Sequence, residues 1–261
     1  MGGKPVATRL YLPQSLGDGG TLGLDHQRAH YLRAVLRLKR GDHVAVFNAE
    51  DGEWDAEIEG LGKGWASLAL TERRRPPAPE PDVQLVFAPI KRARLDFLVE
   101  KATELGAAKL QPVYTQHTDV SRVNTERLAA NAREAAEQCE RLSVPDVAEP
   151  VDFRALLATW PTERRILLCA ESGSAPPIAE VLARHAAQPA ASAVTAPWAI
   201  MTGPEGGFHG SELDALRKLP FVAPVGLGPR VLRADTAALA ALACWQAWLG
   251  DGRDDPPFRR S

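Results

Sequence analysis

Four prolines fall within the six residues 76–81, inside the stretch RRRPPAPEP at 73–81. No helix and no sheet interior can run through such a stretch. Proline locks φ, offers no N–H to a ladder, and drives the residue before it out of the helical region. The result is a stiff connector. The chain is therefore expected to fold in two parts, a domain over 1–75 and a second over 82–261, with a Pro-rich linker at 76–81.

The hydrophobic rhythm differs on the two sides. Before the prolines, HVAVFNA (43–49), EWDAEIEG (53–60) and WASLAL (65–70) are short and β-prone, with the turn sequences AEDG (49–52) and GLGKG (60–64) between them. That is the pattern of a small β-rich module. One helix is predicted over 26–38, where Ala29, Leu32 and Leu36, with Val35 and Leu38, share a face. After the prolines strand and helix alternate, as in an α/β domain with a mostly parallel sheet. Strands are predicted at 83–89, 109–114, 165–171, 198–203 and 221–228, and helices at 94–106, 125–142, 178–187, 212–219 and 236–249. Gly106 suits the left-handed stop of its helix. Ser211, with Asp214 three residues on, suggests a capping box. The alanine-, proline- and serine-rich segment 186–197 reads as a loop.

Composition narrows the class. Hydrophobic residues are 45% and charged residues 25% of 261, ordinary for a soluble globular protein. The net charge of −2 does not announce a nucleic-acid binder, but a whole-chain sum says nothing of local faces. Cys139, Cys169 and Cys244 are widely spaced and form no CxxC pair. This argues for a reducing compartment and against a disulfide framework or a zinc site. No His/Cys/Asp set has metal-ligand spacing. The opening MGGKPVATRLYLP lacks the apolar core of a signal peptide. The apolar stretch at 236–249 falls short of the roughly 20 residues that a bilayer requires. A cytoplasmic protein without membrane or metal partners is expected.

Two glycine-rich runs remain, TGPEGGFHGSE at 202–212 and VGLGPRVLRADT at 225–236. Both lie where a predicted strand ends and the chain turns toward a helix, the edge at which open α/β sheets hold ligands. A phosphate fits poorly: GxxxxGK[ST] and GxGxxG are both absent, no lysine reaches in, and Glu205 would repel it. A cationic or neutral ligand with an adenosine body, such as S-adenosylmethionine, fits better. Two tight turns that happen to be glycine-rich fit as well, and the residues alone leave both readings open.

TGPEGGFHGSELDAL with LGPRVLRADTAALAAL resembles the paired signature of the bacterial small-subunit ribosomal RNA uridine N3-methyltransferase family, a branch of the SPOUT methyltransferases. Supporting matches lie upstream in the expected order: HYLRAVLRLKRGD (30–42), KATELGAAKLQPVYTQHTDV (101–120) and EAAEQCERLSVPDV (134–147). The resemblance implies an N-terminal PUA-like β-barrel that binds RNA. It implies a SPOUT-type α/β domain whose last part forms a trefoil knot, S-adenosylmethionine as cofactor, and a homodimer built through the knotted domain. It places Met201, Gly203, Pro204, Glu205, Gly206 and Gly207 in the first wall of the cofactor pocket. Leu227, Gly228, Val231, Leu232 and Ala234 make the second.

Methylation at uridine N3 requires loss of the imino proton, so a cation beside the uracil carbonyls would stabilise the anionic ring. Arg233 is assigned that role, with Arg230 also in the loop, while Glu205 acts as base or orients the cofactor. RNA contacts are expected from Arg9, from Arg33, Arg37 and Arg40 as a ridge at helical spacing, and from Lys91, Arg92 and Arg94. The partner implied is 16S rRNA or the small ribosomal subunit. A SPOUT enzyme acting on another rRNA or tRNA position, and a non-catalytic RNA-binding assembly factor, are the competing readings. Cofactor binding separates the last from the others.

Overall fold

The computed structural model describes residues 6–17, 20–170, 175–187 and 197–254. Most of the segment read as a loop at 186–197, and Glu171 at the end of the strand expected at 165–171, lie outside the described residues. The chain forms two compact units. The first takes in residues up to 78 together with 136–144, and the second comprises 79–135 and the chain from 145 onward.

The first unit is a five-stranded sheet of β1 (Arg9–Tyr11), β2 (Thr21–Leu24), β3 (His43–Asn48), β4 (Gly52–Leu61) and β5 (Ala66–Arg75), in the order β1-β3-β4-β5-β2. β1 runs parallel to β3, and the other neighbours are antiparallel. Leu10, Leu32, Val44, Val46, Ile58 and Leu68 form its core. β5 continues through Arg75, so the three arginines before the prolines belong to a strand rather than to the connector. Gly52 makes that strand end possible. Its φ is +80°, and a Cβ there would sit 2.2 Å from the Arg75 carbonyl and 2.8 Å from Pro77.

The helix expected at 26–38 is shorter and changes character. Asp25 caps α1 (His26–His30), and the chain continues as one turn of π-helix over Tyr31–Val35. The wider turn shows in the bond from Leu36 N to the Tyr31 carbonyl, 3.0 Å, which spans five residues instead of four. Arg37 then takes a left-handed φ of 57°. Ala29 and Leu32 are buried as expected, but Val35 is 60% exposed.

The second unit holds a parallel sheet of β6 (Val83–Phe87), β7 (Lys109–Tyr114), β8 (Asp146–Val147), β9 (Val151–Asp152), β10 (Arg165–Cys169), β11 (Trp198–Thr202) and β12 (Val222–Val225). Its order is β12-β10-β11-β6-β7-β8, with β9 also paired to β7. β6 and β11 are buried along their whole length, which is why they read as mostly apolar runs, with Gln84 and Thr202 the polar members. Around the sheet run α2 (Arg92–Glu104), α3 (Thr125–Gln138), α4 (Phe153–Ala158), α5 (Ile178–Ala186), α6 (Gly210–Arg217) and α7 (Ala234–Leu249). α2 stops as its sequence requires: Gly106 follows at φ +81°, and Gln246 of α7 donates to the freed Leu105 carbonyl at 2.8 Å. α3 ends at Gln138, four residues earlier than expected, and Glu140 beyond it is left-handed at φ 64°.

Candidate cofactor cleft and active site

β10, β11 and β12 are adjacent and parallel, so their carboxyl ends open on the same edge of the sheet. The loop 203–209 leaves β11 there, the loop 226–233 leaves β12, and α7 begins between them. Three connected hollows result. The first, about 170 Å³, is lined by Gly203, Pro204, Gly206, Gly207, Phe208 and Ala234, with Cys169, Thr202 and Ala237 at its base. The second, about 250 Å³, lies among Gly226, Leu227, Gly228, Pro229, Arg230, Val231 and Leu232. It shares Cys169, Ala170 and Ala237 with the first. The third, about 420 Å³, is lined by Lys91, Arg94, Glu205, Val231, Leu232, Arg233 and Ala234.

The glycines have distinct structural reasons. Gly207 and Gly228 are left-handed, at φ 69° and 100°, a conformation that costs a side-chain-bearing residue about 1 kcal/mol or more. At Gly203 a Cβ would press on the Phe208 ring at 3.0 Å, and at Gly226 on the Ala175 carbonyl at 3.2 Å. Gly226 is also stitched to the start of α5: its N–H donates to Pro176 O at 2.9 Å, and its carbonyl accepts from Ile178 N at 3.0 Å.

A bracket holds the first loop. Glu212 is 4% exposed, and its two oxygens accept from two backbone N–H groups, Gln116 N at 2.9 Å and His209 N at 2.9 Å. The helix cap is therefore His209 with Glu212 three residues on, displaced by two positions from the Ser211–Asp214 pair expected. The His209 ring accepts from Ser211 N at 3.2 Å, and the carboxylate of Glu212 completes the box. His117 Nδ1 lies 3.1 Å from the Gly207 carbonyl, so the turn after β7 supports the glycine loop along its outer side.

Of the expected cofactor residues, Gly203, Pro204, Gly206, Gly207 and Ala234 line the first hollow, while Leu227, Gly228, Val231 and Leu232 line the second. Met201 is fully buried in β11 and packs in the core behind the cleft. Glu205 turns to the third hollow, half-exposed, where its Oε1 lies 3.3 Å from Arg94 Nη1. The same Arg94 nitrogen lies 3.7 Å from Asp235 in the first turn of α7. Arg233 precedes that turn as its N-cap, in extended conformation, and is exposed. Cys169, Ala170, Thr202, Phe208 and Ala237 also face the cleft, and residue type did not single them out; the one signal they carry is position, at or after the end of a central strand or one turn into the last helix. Burial pushes the Cys169 thiol up to about 12, so it is a neutral wall rather than a nucleophile.

The expected RNA contacts divide. Arg33, Arg37 and Arg40 are all exposed, but the left-handed turn at Arg37 means they do not form a ridge on one helix. Lys91 and Arg92 are exposed. Arg94 is occupied by its two carboxylates. Arg9 departs from the expectation: its side chain is only 11% exposed. Its guanidinium pairs with Glu53 at 2.8 Å, lies over the Phe47 ring, and donates to the carbonyls of Ala136, Glu137 and Arg141 at the end of α3. Burial lowers the Arg9 pKa, the Glu53 carboxylate opposes that, and the side chain works inside the fold.

The first two hollows carry one cation, Arg230, and no lysine. Their walls are mostly small or apolar, with Ala170, Gly203, Gly206, Gly207, Leu227 and Gly228 among them. Such a cleft suits a flat heteroaromatic body with hydrogen-bonding edges better than a phosphate chain, to which it offers a single counter-charge, Arg230. The third hollow is the opposite, rich in cations and open to a separate molecule.

The RNA methyltransferase domain model matches residues 77–246, and the RNA methyltransferase PUA domain model matches residues 24–68. The ribosomal RNA small subunit methyltransferase E of Rickettsia conorii is 33% identical over 237 residues, covering 90% of this chain and 93% of its own. Its namesake from Synechocystis is 35% identical over 247 residues, covering 94% and 78%. Among solved structures, the ribosomal RNA small subunit methyltransferase E of Neisseria gonorrhoeae bound to S-adenosyl methionine superposes with a TM-score of 0.83 at 28% identity, over 94% of this chain and 99% of that one.

Proposed function

Because the chain belongs to the RNA methyltransferase family, with an RNA methyltransferase PUA domain before the catalytic one, we propose that it methylates N3 of a uridine in the 16S rRNA of the small ribosomal subunit, using S-adenosylmethionine. The observation that carries the reading is the junction of the three hollows. A small-walled cleft with a single cation adjoins a cation-rich one through Val231, Leu232 and Ala234. A donor and an acceptor can meet there.

The bound cofactor supplies an electrophilic methyl group on a sulfonium. This chain's residues do the rest. Backbone edges at Gly203–Gly207 and Leu227–Gly228 receive the adenosine part, and Thr202, Phe208 and Ala237 close around it. Arg233, facing the third hollow, holds the charge of the deprotonated uracil. Glu205, kept in place by Arg94, orients the groups at the junction. Arg33, Arg37, Arg40 and Arg92 contact phosphates, positioning the RNA without reading its bases. We take the working domains to be 1–75 and 82–261, the last part of the second threaded as a trefoil knot and joined to a second copy in a cytoplasmic homodimer. Among the described residues no helix is long and apolar enough to cross a membrane.

The test is methyl transfer from isotope-labelled S-adenosylmethionine to small subunits purified from a strain lacking this protein, followed by nuclease digestion and mass spectrometry. Label on N3 of one uridine is the expected result. Label on another atom or another RNA would retain the enzyme and change its substrate. Absence of cofactor binding by calorimetry would remove the reading.

A further inference from the structure

We propose that Lys91 is a second anion-stabilising residue of the active site, acting with Arg233 on the deprotonated base, and that Arg94 between them is a positioning residue. The proposal rests on the methylation of uridine N3 argued above. Its ground is a charge count in the third hollow, which is lined by three cations, Lys91, Arg94 and Arg233, and one carboxylate, Glu205. The Arg94 guanidinium lies 3.3 Å from Glu205 and 3.7 Å from Asp235, so its charge is offset by two acids, one on the glycine loop and one on α7. Among the described residues neither Lys91 nor Arg233 has an ion-pair partner. Two cations without ion-pair partners therefore face one space beside a site for a cationic cofactor, and with Asp235 counted the five charged groups sum to +1. A ligand that stays neutral does not need them.

The position of Lys91 is costly for the fold. It is the N-cap of α2, its side chain makes no capping bond, and the first turn carries no acid. A cation at the positive end of a helix is unfavourable. A residue that works against its own helix while lining an active-site hollow is accounted for by the anion that forms there.

The chemistry needs such a pair. The uracil N3–H proton leaves to bulk water, and its charge spreads over O2 and O4 on either side of the nitrogen. Lys91 and Arg233 lower the energy of that anion, one for each oxygen. The N3 lone pair then forms the N–CH3 bond while the C–S bond breaks, its electrons staying on sulfur as a neutral thioether. The products are 3-methyluridine, S-adenosylhomocysteine and one proton in solution.

The experiment compares Lys91→Ala, Lys91→Arg and wild type on purified small subunits across a pH series, with cofactor affinity and thermal unfolding measured in parallel. We expect Lys91→Ala to lower kcat at neutral pH by about 100- to 1,000-fold, the range for loss of one preorganised donor. Its loss should shrink as pH rises and the base ionises unaided, so the rate–pH curve moves to higher pH. Lys91→Arg should keep most of the activity, cofactor Kd should not change, and the melting temperature should hold or rise because an unfavourable charge leaves the helix end. A loss that is the same at every pH, or one confined to KM and its salt dependence, overturns the proposal and makes Lys91 a phosphate contact. If wild type itself places the methyl elsewhere than N3, the function reading has failed, and that is seen before any variant is scored.

Discussion

Glu53 shows how much one side chain can carry. It sits under Arg9, Arg74 and Arg75, at 2.8, 3.3 and 2.6 Å. Burial alone would raise its pKa, but Arg9 and Arg75 outweigh that and hold it below the ordinary value of 4.5. A depressed carboxylate contributes stability above its unfolded pKa and loses it as pH falls through the folded one. The first unit is thus expected to loosen in acid below that ordinary value, and Glu53→Gln should cost about 3–5 kcal/mol by leaving two buried arginines unbalanced. Thermal unfolding against pH, in both proteins, measures it; a variant with the wild-type acid limb would contradict the assignment. In the cleft, Gly228→Ala introduces a Cβ at φ 100° with nothing within 4 Å, so the cost is conformational, about 1 kcal/mol or more. Calorimetry should show weaker cofactor binding with little change in melting temperature. Residues such as Gly228 are visible in a sequence because glycine has few other reasons to recur. Ala170, Thr202 and Ala237 are not, since small side chains lining a hollow look the same as small side chains filling a helix.

At the scale of elements, the central strands and long helices were legible. β6 and β11, buried throughout, and β10, buried but for Arg165, give mostly apolar runs, and α2 gives a stripe closed by glycine. What escaped was short or irregular. β8 and β9 have two residues each, too few for any period to show. The π-turn at Tyr31–Val35 escaped because its buried Leu32 and Ala29 of the preceding α1 also satisfy an α-helical spacing. The cap of α6 was misplaced because serine is the commoner capping residue, whereas here a histidine ring does that work. The bracket below it was invisible, since nothing in a sequence tells Glu212 that Gln116 is its neighbour. Glu212→Gln keeps one acceptor oxygen and sets an NH2 against a backbone N–H. It should cost about 2–3 kcal/mol and raise the cofactor Kd, because the loop that walls the first hollow loses its brace. Unchanged binding with lowered stability would confine Glu212 to holding the helix.

For the whole molecule, the PUA and methyltransferase matches together run from residue 24 to residue 246 with a short gap at 69–76 that ends on the first of the prolines, and the change of rhythm across the prolines was plain. Surface electrostatics was legible only as lists of arginines. Arg9 belonged to the interior, and Arg37 and Arg40 lay beyond the helical turn that holds Arg33 instead of continuing one helix. If those three contact phosphates, replacing each by alanine should weaken RNA binding similarly for any sequence, and lower the salt slope by about one per contact. A filter-binding titration at several salt concentrations reads both, and an unaltered slope would exclude them. The first unit also has a history during synthesis. Residues 136–144 complete it, and Arg9 and Arg75 donate to the carbonyls of Ala136, Glu137, Glu140 and Arg141. A nascent chain that has emerged only as far as the prolines holds two buried arginines with acceptors still inside the ribosome. Its amino-terminal module must wait for much of the next domain's first half to emerge before it can lock, so a pause with only residues up to 78 outside the ribosome would leave it exposed to chaperones and proteases, whereas a pause with residue 144 already outside would not.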